Sequence, residues 1–259
     1  LTHITLASIH FGNNEDGSPY IHLNNNPPCS TSFTNTFKQL VYIKEKFNVK
    51  INLLIGGAGS AFNQLFNYYN TYYKLLQDSI KSPLNFVDGF NLDIEEEVDI
   101  NDVIKLVKNL KNDFPNKEIS FAPLSSSLVE DGPGMGGFSY KKLDNEIGNL
   151  IDYYNVQCYG EYSQELFNQM VKNGYSAERI VMGMLSGQNF NDIINEIEKI
   201  VSENDLLDNS KPNNSNLKTQ LFGGVAVWEY FNAPPSSPKY PYVWCEIMSH
   251  ILYDKSYIK

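Results

Sequence analysis

Arginine is nearly missing from this chain: Arg179 stands alone, and lysine supplies the rest of the 20 basic residues against 30 acidic ones, for a net charge of −10. Nucleic acid and anionic membranes both need a concentrated positive field, so neither is an expected partner, and an uncharged substrate fits better. Cysteine is scarce as well. Cys29, Cys158 and Cys245 make no paired framework and no CxxC, which argues against a disulfide scaffold, redox chemistry or a metal site. No apolar run approaches the roughly 18 residues that span a membrane. The chain starts at Leu1 with neither an initiator methionine nor an apolar leader, so a processed or truncated start is expected. Asn213-Asn214-Ser215 is a glycosylation acceptor triplet, which leans towards a secreted or extracellular setting without deciding the compartment.

What is present points to one α/β core. A length of 259 residues is long for a single domain, but α/β barrels run roughly 200 to 250 residues around one core. A single domain over 1–259, acting as a monomer, is therefore expected. With 42% hydrophobic and 19% charged residues the composition is that of a globular protein, and most of its 17 tyrosines and 15 phenylalanines belong to the core. Short apolar runs at His3–Phe11, Lys50–Gly57, Val87–Glu95, Glu118–Ser125, Asp152–Tyr159, Ile180–Leu185 and Gly223–Tyr230 read as seven strands. Helical periodicity separates them, at Thr36–Phe47, Phe62–Ile80, Asp102–Phe114, Tyr140–Ile151, Gln164–Asn173, Asp192–Ser202 and Tyr242–Tyr253. Alternation of this kind predicts βα units and a parallel sheet.

Three polar segments interrupt the pattern. Gly12–Ser32 and Ser126–Phe138 follow strand C-terminal ends, the face on which barrel active sites are built, and are candidate cleft walls. Ser202–Thr219 precedes a strand and reads as an insertion on the opposite face. Gly132, Gly134, Gly136 and Gly137 match no phosphate-loop spacing, so they read as a flexible loop.

The most informative stretch is Asp88-Gly89-Phe90-Asn91-Leu92-Asp93-Ile94-Glu95. Successive side chains of a strand point to opposite faces, so Phe90, Leu92 and Ile94 face one way and Asn91, Asp93 and Glu95 the other. The apolar set suits a helix layer. The polar set must then point into a barrel, where unpartnered carboxylates cost on the order of several kcal/mol. Stability alone does not select such a strand, so chemistry is the expected reason for it. The acids that follow, Glu96, Glu97 and Asp99, suit a helix N-terminus.

This stretch resembles the DGxDxDxE signature of the family 18 glycoside hydrolases, the chitinases and related endo-N-acetylglucosaminidases. On that match Glu95 takes the position of the acid and Asp93 that of its essential neighbour. Asn52-Leu53-Leu54-Ile55-Gly56-Gly57 is similar to the family's third strand, which ends in SxGG, with Leu54 in place of the serine. Asn155-Val156-Gln157-Cys158-Tyr159 resembles the sixth strand of plant-type members, in which a glutamine and a tyrosine reach the substrate; parity puts Asn155, Gln157 and Tyr159 on one face. Gly223-Gly224-Val225-Ala226-Val227-Trp228 resembles the eighth strand, whose tryptophan floors the sugar subsite, and Ala122-Pro123 echoes the fifth. Leu1–Phe11 resembles the family's second strand. The implied fold is a (β/α)8 TIM barrel lacking its first strand in this chain, that strand being expected upstream of Leu1.

The resemblance also implies a mechanism, substrate-assisted and without a protein nucleophile. Glu95 protonates the leaving oxygen, Asp93 aligns the substrate's acetamide and Tyr159 holds its carbonyl, while Asn91, Gln157, Trp228 and Gly57 contribute to substrate binding. No metal or organic cofactor is expected, and the expected partner is an N-acetylglucosamine-containing oligosaccharide or polysaccharide. Asn91 departs from the pattern, which has aspartate there, and Gly160 stands where many members carry Asp or Asn. Asn91 and Leu54 keep a second reading open: a non-catalytic chitin-binding lectin or storage protein on the same barrel. Chitin, an N-glycan core and a peptidoglycan-like polymer all remain candidate ligands.

Overall fold

The computed structural model describes residues 1–209 and 222–253. In chain order the elements are β1 (His3–Asn13), β2 (Pro19–Leu23), α1 (Thr34–Phe47), β3 (Lys50–Gly56), α2 (Ala61–Asn67), α3 (Tyr69–Lys81), β4 (Gly89–Asp93), α4 (Ile100–Asp113), β5 (Glu118–Phe121), α5 (Ser125–Val129), α6 (Tyr140–Ile147), β6 (Tyr153–Gln157), α7 (Gln164–Lys172), β7 (Ile180–Leu185), α8 (Phe190–Asn209), β8 (Gly224–Trp228) and α9 (Tyr242–Tyr253). They fall into two compact units, residues 1–122 with 132–152, and residues 123–131 with 153 onward.

In the first unit the strand order is β2-β1-β3-β4-β5, parallel throughout except for β2. Parallel strands are covered on both faces, and Ile51 through Gly56 are accordingly all buried. The apolar half of the β4 alternation behaves as its sequence requires: Phe90, Leu92 and Ile94 are buried, and Phe90 meets the ring of Phe114, just past α4, edge-on at 5.9 Å. α4 presents Val103, Ile104, Val107 and Leu110 to the core, and the Asp99 side chain caps its first turn through the Asn101 N–H.

Two features differ from the sequence expectation. The polar segment after β1 contains a strand, because Ile21 and Leu23 alternate into the core and pair β2 antiparallel to Ile9–Asn13. The long helix expected over Phe62–Ile80 is two helices broken at Tyr68 (φ −130°, ψ 48°), within Asn67-Tyr68-Tyr69-Asn70, a run of weak helix formers.

At the N-terminal ends of these strands Glu118 gathers three donors. His3 Nε2 lies 3.1 Å away, Asn52 Nδ2 at 3.4 Å, and Lys50 Nζ is an ion-pair partner. Burial pushes the Glu118 carboxyl up, but the hydrogen bonds and charges of His3 and Lys50 outweigh it and bring it down to about 2.

The second unit orders β6-β7-β8, all parallel. α5, inside the second polar segment, buries Leu128, and Asn173 at the end of α7 donates to the Leu128 carbonyl at 2.7 Å. α9 packs through Trp244, whose indole N–H points at Met184 Sδ, 3.3 Å away. Most of the third polar segment, Ser202–Thr219, and the triplet at Asn213 lie outside the described residues. Among the described residues no helix is long and apolar enough to cross a membrane.

Candidate active site

The carboxylates of the motif sit at the C-terminal end of β4. Across the sheet Leu54 faces Asn91, which faces Ser120, and two residues on Gly56 faces Asp93. Asn91 is 1% exposed; its amide donates to Ser120 Oγ at 2.8 Å, and its Oδ1 is buried with no hydrogen-bond partner. Two of the departures from the family pattern, Leu54 and Asn91, are thus cross-strand neighbours. A leucine offers no donor to a carboxylate, so a neutral amide suits position 91 better than aspartate does here.

Gly56 and Gly57 explain how the chain passes so close to Asp93. Both have positive φ (+96° and +86°), and a β-carbon on Gly56 would lie 2.3 Å from the Asp93 carbonyl oxygen. Gly57 instead donates its N–H to that oxygen at 2.9 Å. Asp93 ends β4 half-buried, and Glu95, also half-buried, lies two residues beyond it.

Glu96, read from sequence as one of several helix-end acids, caps a helix other than the one that follows it. Its Oε1 accepts from the N–H groups of Phe62 and Asn63 at the start of α2, and its Oε2 is buried without a partner. Burial, then the charge of Glu95, raise its pKa against the pull of those two N–H groups. Alternation singles out Glu95, but nothing in the sequence separates Glu96 from Glu97, because the partner helix is some 33 residues away in sequence.

A second position missed from sequence is His10. Ile9 is level with Ile55, and Ile55 with Leu92, so His10 shares the level and the face of Asp93 two strands away, ~10 Å. Burial lowers the pKa of its ring, and Nε2 sits 2.8 Å from Ser8 Oγ. His10 lines a cavity of about 380 Å³ together with Tyr20, His22, Ser60 and Gln64; the Tyr20 and His22 rings stack at 4.0 Å.

In the second unit Gln157 ends β6, and Tyr159 is 37% exposed two residues further on. Trp228 ends β8 and is 45% exposed. β7 lies between the two strands and joins their ends: Cys158 N–H donates to the Gly183 carbonyl at 3.0 Å, and Ser186 N–H to the Trp228 carbonyl at 2.8 Å. The Cys158 thiol is buried and pushed up to about 12, so it is no nucleophile. Gly160 has φ +85° and open space where a β-carbon would stand. Among L residues Asn and Asp tolerate such a backbone best, which agrees with the family's usual choice there.

Among the described residues no group of three His, Cys, Asp or Glu side chains is placed to hold a metal ion. The arrangement at β4 offers two half-buried carboxyl groups, Asp93 and Glu95, on the face where parallel α/β proteins build their sites.

The family model for glycosyl hydrolases family 18 matches residues 1–255. The chain belongs to that family. Among solved structures it is similar to a fungal endo-β-N-acetylglucosaminidase of family 18, at 29% identity and a TM-score of 0.79, over 98% of this chain and 88% of that one. It is also similar to the chitinase ChiC from Aspergillus fumigatus, at 28% identity and a TM-score of 0.73, over 96% of this chain and 88% of that one. The C-terminal domain of ChiA from Legionella pneumophila shares the fold at 14% identity and a TM-score of 0.67, over 100% of this chain and 93% of that one. No curated protein matches. Family 18 membership makes the chain a glycosidase of the chitinase or endo-β-N-acetylglucosaminidase kind, with an α/β, TIM-barrel-like fold.

Proposed function

We propose that this family 18 glycosidase cleaves β-1,4-linked N-acetylglucosamine polymers or oligosaccharides internally, by substrate-assisted catalysis with Glu95 as the general acid. The observation that carries the reading is the pair at the end of β4: Asp93 held by the Gly57 N–H, and Glu95 two residues beyond it. In the first step the Glu95 carboxyl gives its proton to the glycosidic oxygen as the C1–O bond breaks. The carbonyl oxygen of the substrate's own acetamide bonds to C1 and forms an oxazolinium ion. Water then adds at C1, reopens the ring and gives up a proton to the Glu95 carboxylate, leaving the anomeric configuration retained.

Asp93 accepts the acetamide N–H and steadies the positive ion, and Tyr159 holds the acetamide oxygen. Orientation of an internal nucleophile contributes about 7–11 kcal/mol to such a step. Trp228 offers its exposed ring to a pyranose face, with Gln157 and the Gly57 backbone completing the substrate contacts; Asn91, expected from sequence to reach the substrate, is buried on Ser120 and acts beneath Asp93 instead. The His10 cavity, lined by neutral donors and acceptors, suits further sugar units of a longer chain.

The test is Glu95→Gln assayed on a fluorogenic chitooligosaccharide and on an N-glycosylated peptide. Glutamine keeps the shape but has no proton to give, so hydrolysis should fall by roughly 10² to 10⁴-fold while binding persists. Hydrolysis by the mutant at close to the parent rate would move the acid role elsewhere. The second reading, a chitin-binding lectin, is favoured by the neutral Leu54–Asn91 pair; it takes over if parent and mutant are equally inert while both bind chitin.

A further inference from the structure

The β4 ladder stops short of the proton donor. Its last pairings are Leu92 with Phe121 and Asp93 with Gly56, so Glu95 lies beyond every sheet hydrogen bond that fixes the strand. A group that must deliver a proton at a defined position needs its backbone held by something else, since a displacement of about 1 Å costs on the order of 10²-fold in rate.

We infer that Glu96 is a positioning residue for Glu95, its buried carboxylate bracing the end of β4 against the start of α2. Glu96 lies at the bend just past the strand and follows Glu95 directly, so fixing its side chain fixes the backbone that carries Glu95. The brace is double. Gly57 N–H holds the Asp93 carbonyl at 2.9 Å, and three residues on from Asp93 the Glu96 Oε1 holds Phe62 N–H and Asn63 N–H, the latter at 3.0 Å. Residues 57–63 and 93–96 are therefore stitched together at both ends.

Two further observations favour this over an ordinary helix cap. Ser60, at the N-cap position of α2, makes no side-chain capping bond, so the helix leaves its first N–H groups to an acid from another element. The Glu96 carboxylate is buried far enough that one oxygen has no partner, a cost that a surface cap does not carry. Burial also raises its pKa, and the pull of two backbone N–H groups opposes this. Phe62, one of the two residues it holds, is fully buried, so the anchor it uses is itself rigid.

This inference rests on Glu95 being the acid, and the experiment separates the two. Glu96→Ala, Glu96→Gln and Glu96→Asp are compared in the full chain by hydrolysis and by amide hydrogen exchange of residues 93–98. Alanine should lower kcat roughly 10- to 100-fold with little change in KM, and should speed exchange in that segment. Glutamine, whose amide oxygen still accepts both N–H groups, should restore most of kcat and of the protection. Aspartate keeps the charge but withdraws the oxygens by one methylene, so it should resemble alanine, and it stands in should the alanine chain not fold. Unchanged kcat and exchange in both alanine and aspartate variants would overturn the proposal, as would a glutamine variant as slow as alanine. If the parent hydrolyses nothing, the catalytic reading fails on its own, and exchange alone decides whether Glu96 holds the segment.

Discussion

At the scale of single residues, Asn91 and Leu54 are one change rather than two. Asn91 donates to Ser120 and leaves Oδ1 without a partner, while Leu54 across the strand provides none. Asn91→Asp alone should therefore destabilise the protein by about 1–3 kcal/mol, as expected for a buried polar group left unmatched. Burial disfavours the charged form and raises the pKa of the new carboxyl, so the penalty should grow as pH rises past the ordinary aspartate range. The same carboxyl beside Asp93 should move the acidic limb of the pH–rate profile to higher pH. Adding Leu54→Ser supplies a donor, and the double mutant should recover part of the loss, a coupling of about 0.5–3 kcal/mol. Denaturation of the four chains of this cycle measures it; strict additivity would mean that the two positions do not sense each other. From sequence each departure was visible singly. Their pairing was not, because register depends on a strand offset that no local pattern encodes.

At the scale of elements, β4 is narrow for a reason found at its first residue. A β-carbon on Gly89 would lie 2.7 Å from Asn52 Oδ1 and 2.8 Å from both Glu118 Cβ and Glu118 O, so the strand leaves room for Glu118 and Asn52 to meet across it. Gly89→Ala should cost about 1–3 kcal/mol through overpacking and should loosen Glu118 from Lys50 and His3, which a lowered melting temperature would register. Gly89 stood out in sequence as part of the DG motif, but its structural duty is at the opposite end of β4 from the carboxylates. The parallel strands were legible because each buries a dense apolar run, as in Ile51–Gly56. β2 was not, because only Ile21 and Leu23 mark it amid asparagine, glycine and proline. Likewise the break at Tyr68 leaves the apolar periodicity on either side intact, so the pattern reads as a single helix. At the site, Asp93 and Glu95 were legible from alternation, whereas His10 and Glu96 depended on partners distant in sequence.

At the scale of the whole molecule, 30 acidic residues make behaviour in acid the sharpest test of its electrostatics. Most acids lie at the surface, where screening leaves little to lose. Glu118 is different: half-buried, it is held down to about 2 by His3 and Lys50 despite its burial. A carboxyl whose folded pKa is depressed contributes stability that is present above its unfolded value, about 4.3, and lost as pH falls towards the folded one. Glu96 works the other way, since its raised pKa means that protonation relieves rather than costs, so it cannot produce the loss. Between about pH 5 and about pH 2 the stability gradient should therefore owe much to Glu118. Replacing it with glutamine keeps the size and removes the charge. Glu118→Gln should be less stable than the parent near neutral pH, and the two melting temperatures should converge as the parent's Glu118 takes up its proton. A gap of the same size at both ends of that range would show that Glu118 contributes through packing and neutral hydrogen bonds, and that the cations at the ends of β1 and β3 do not stabilise its charge.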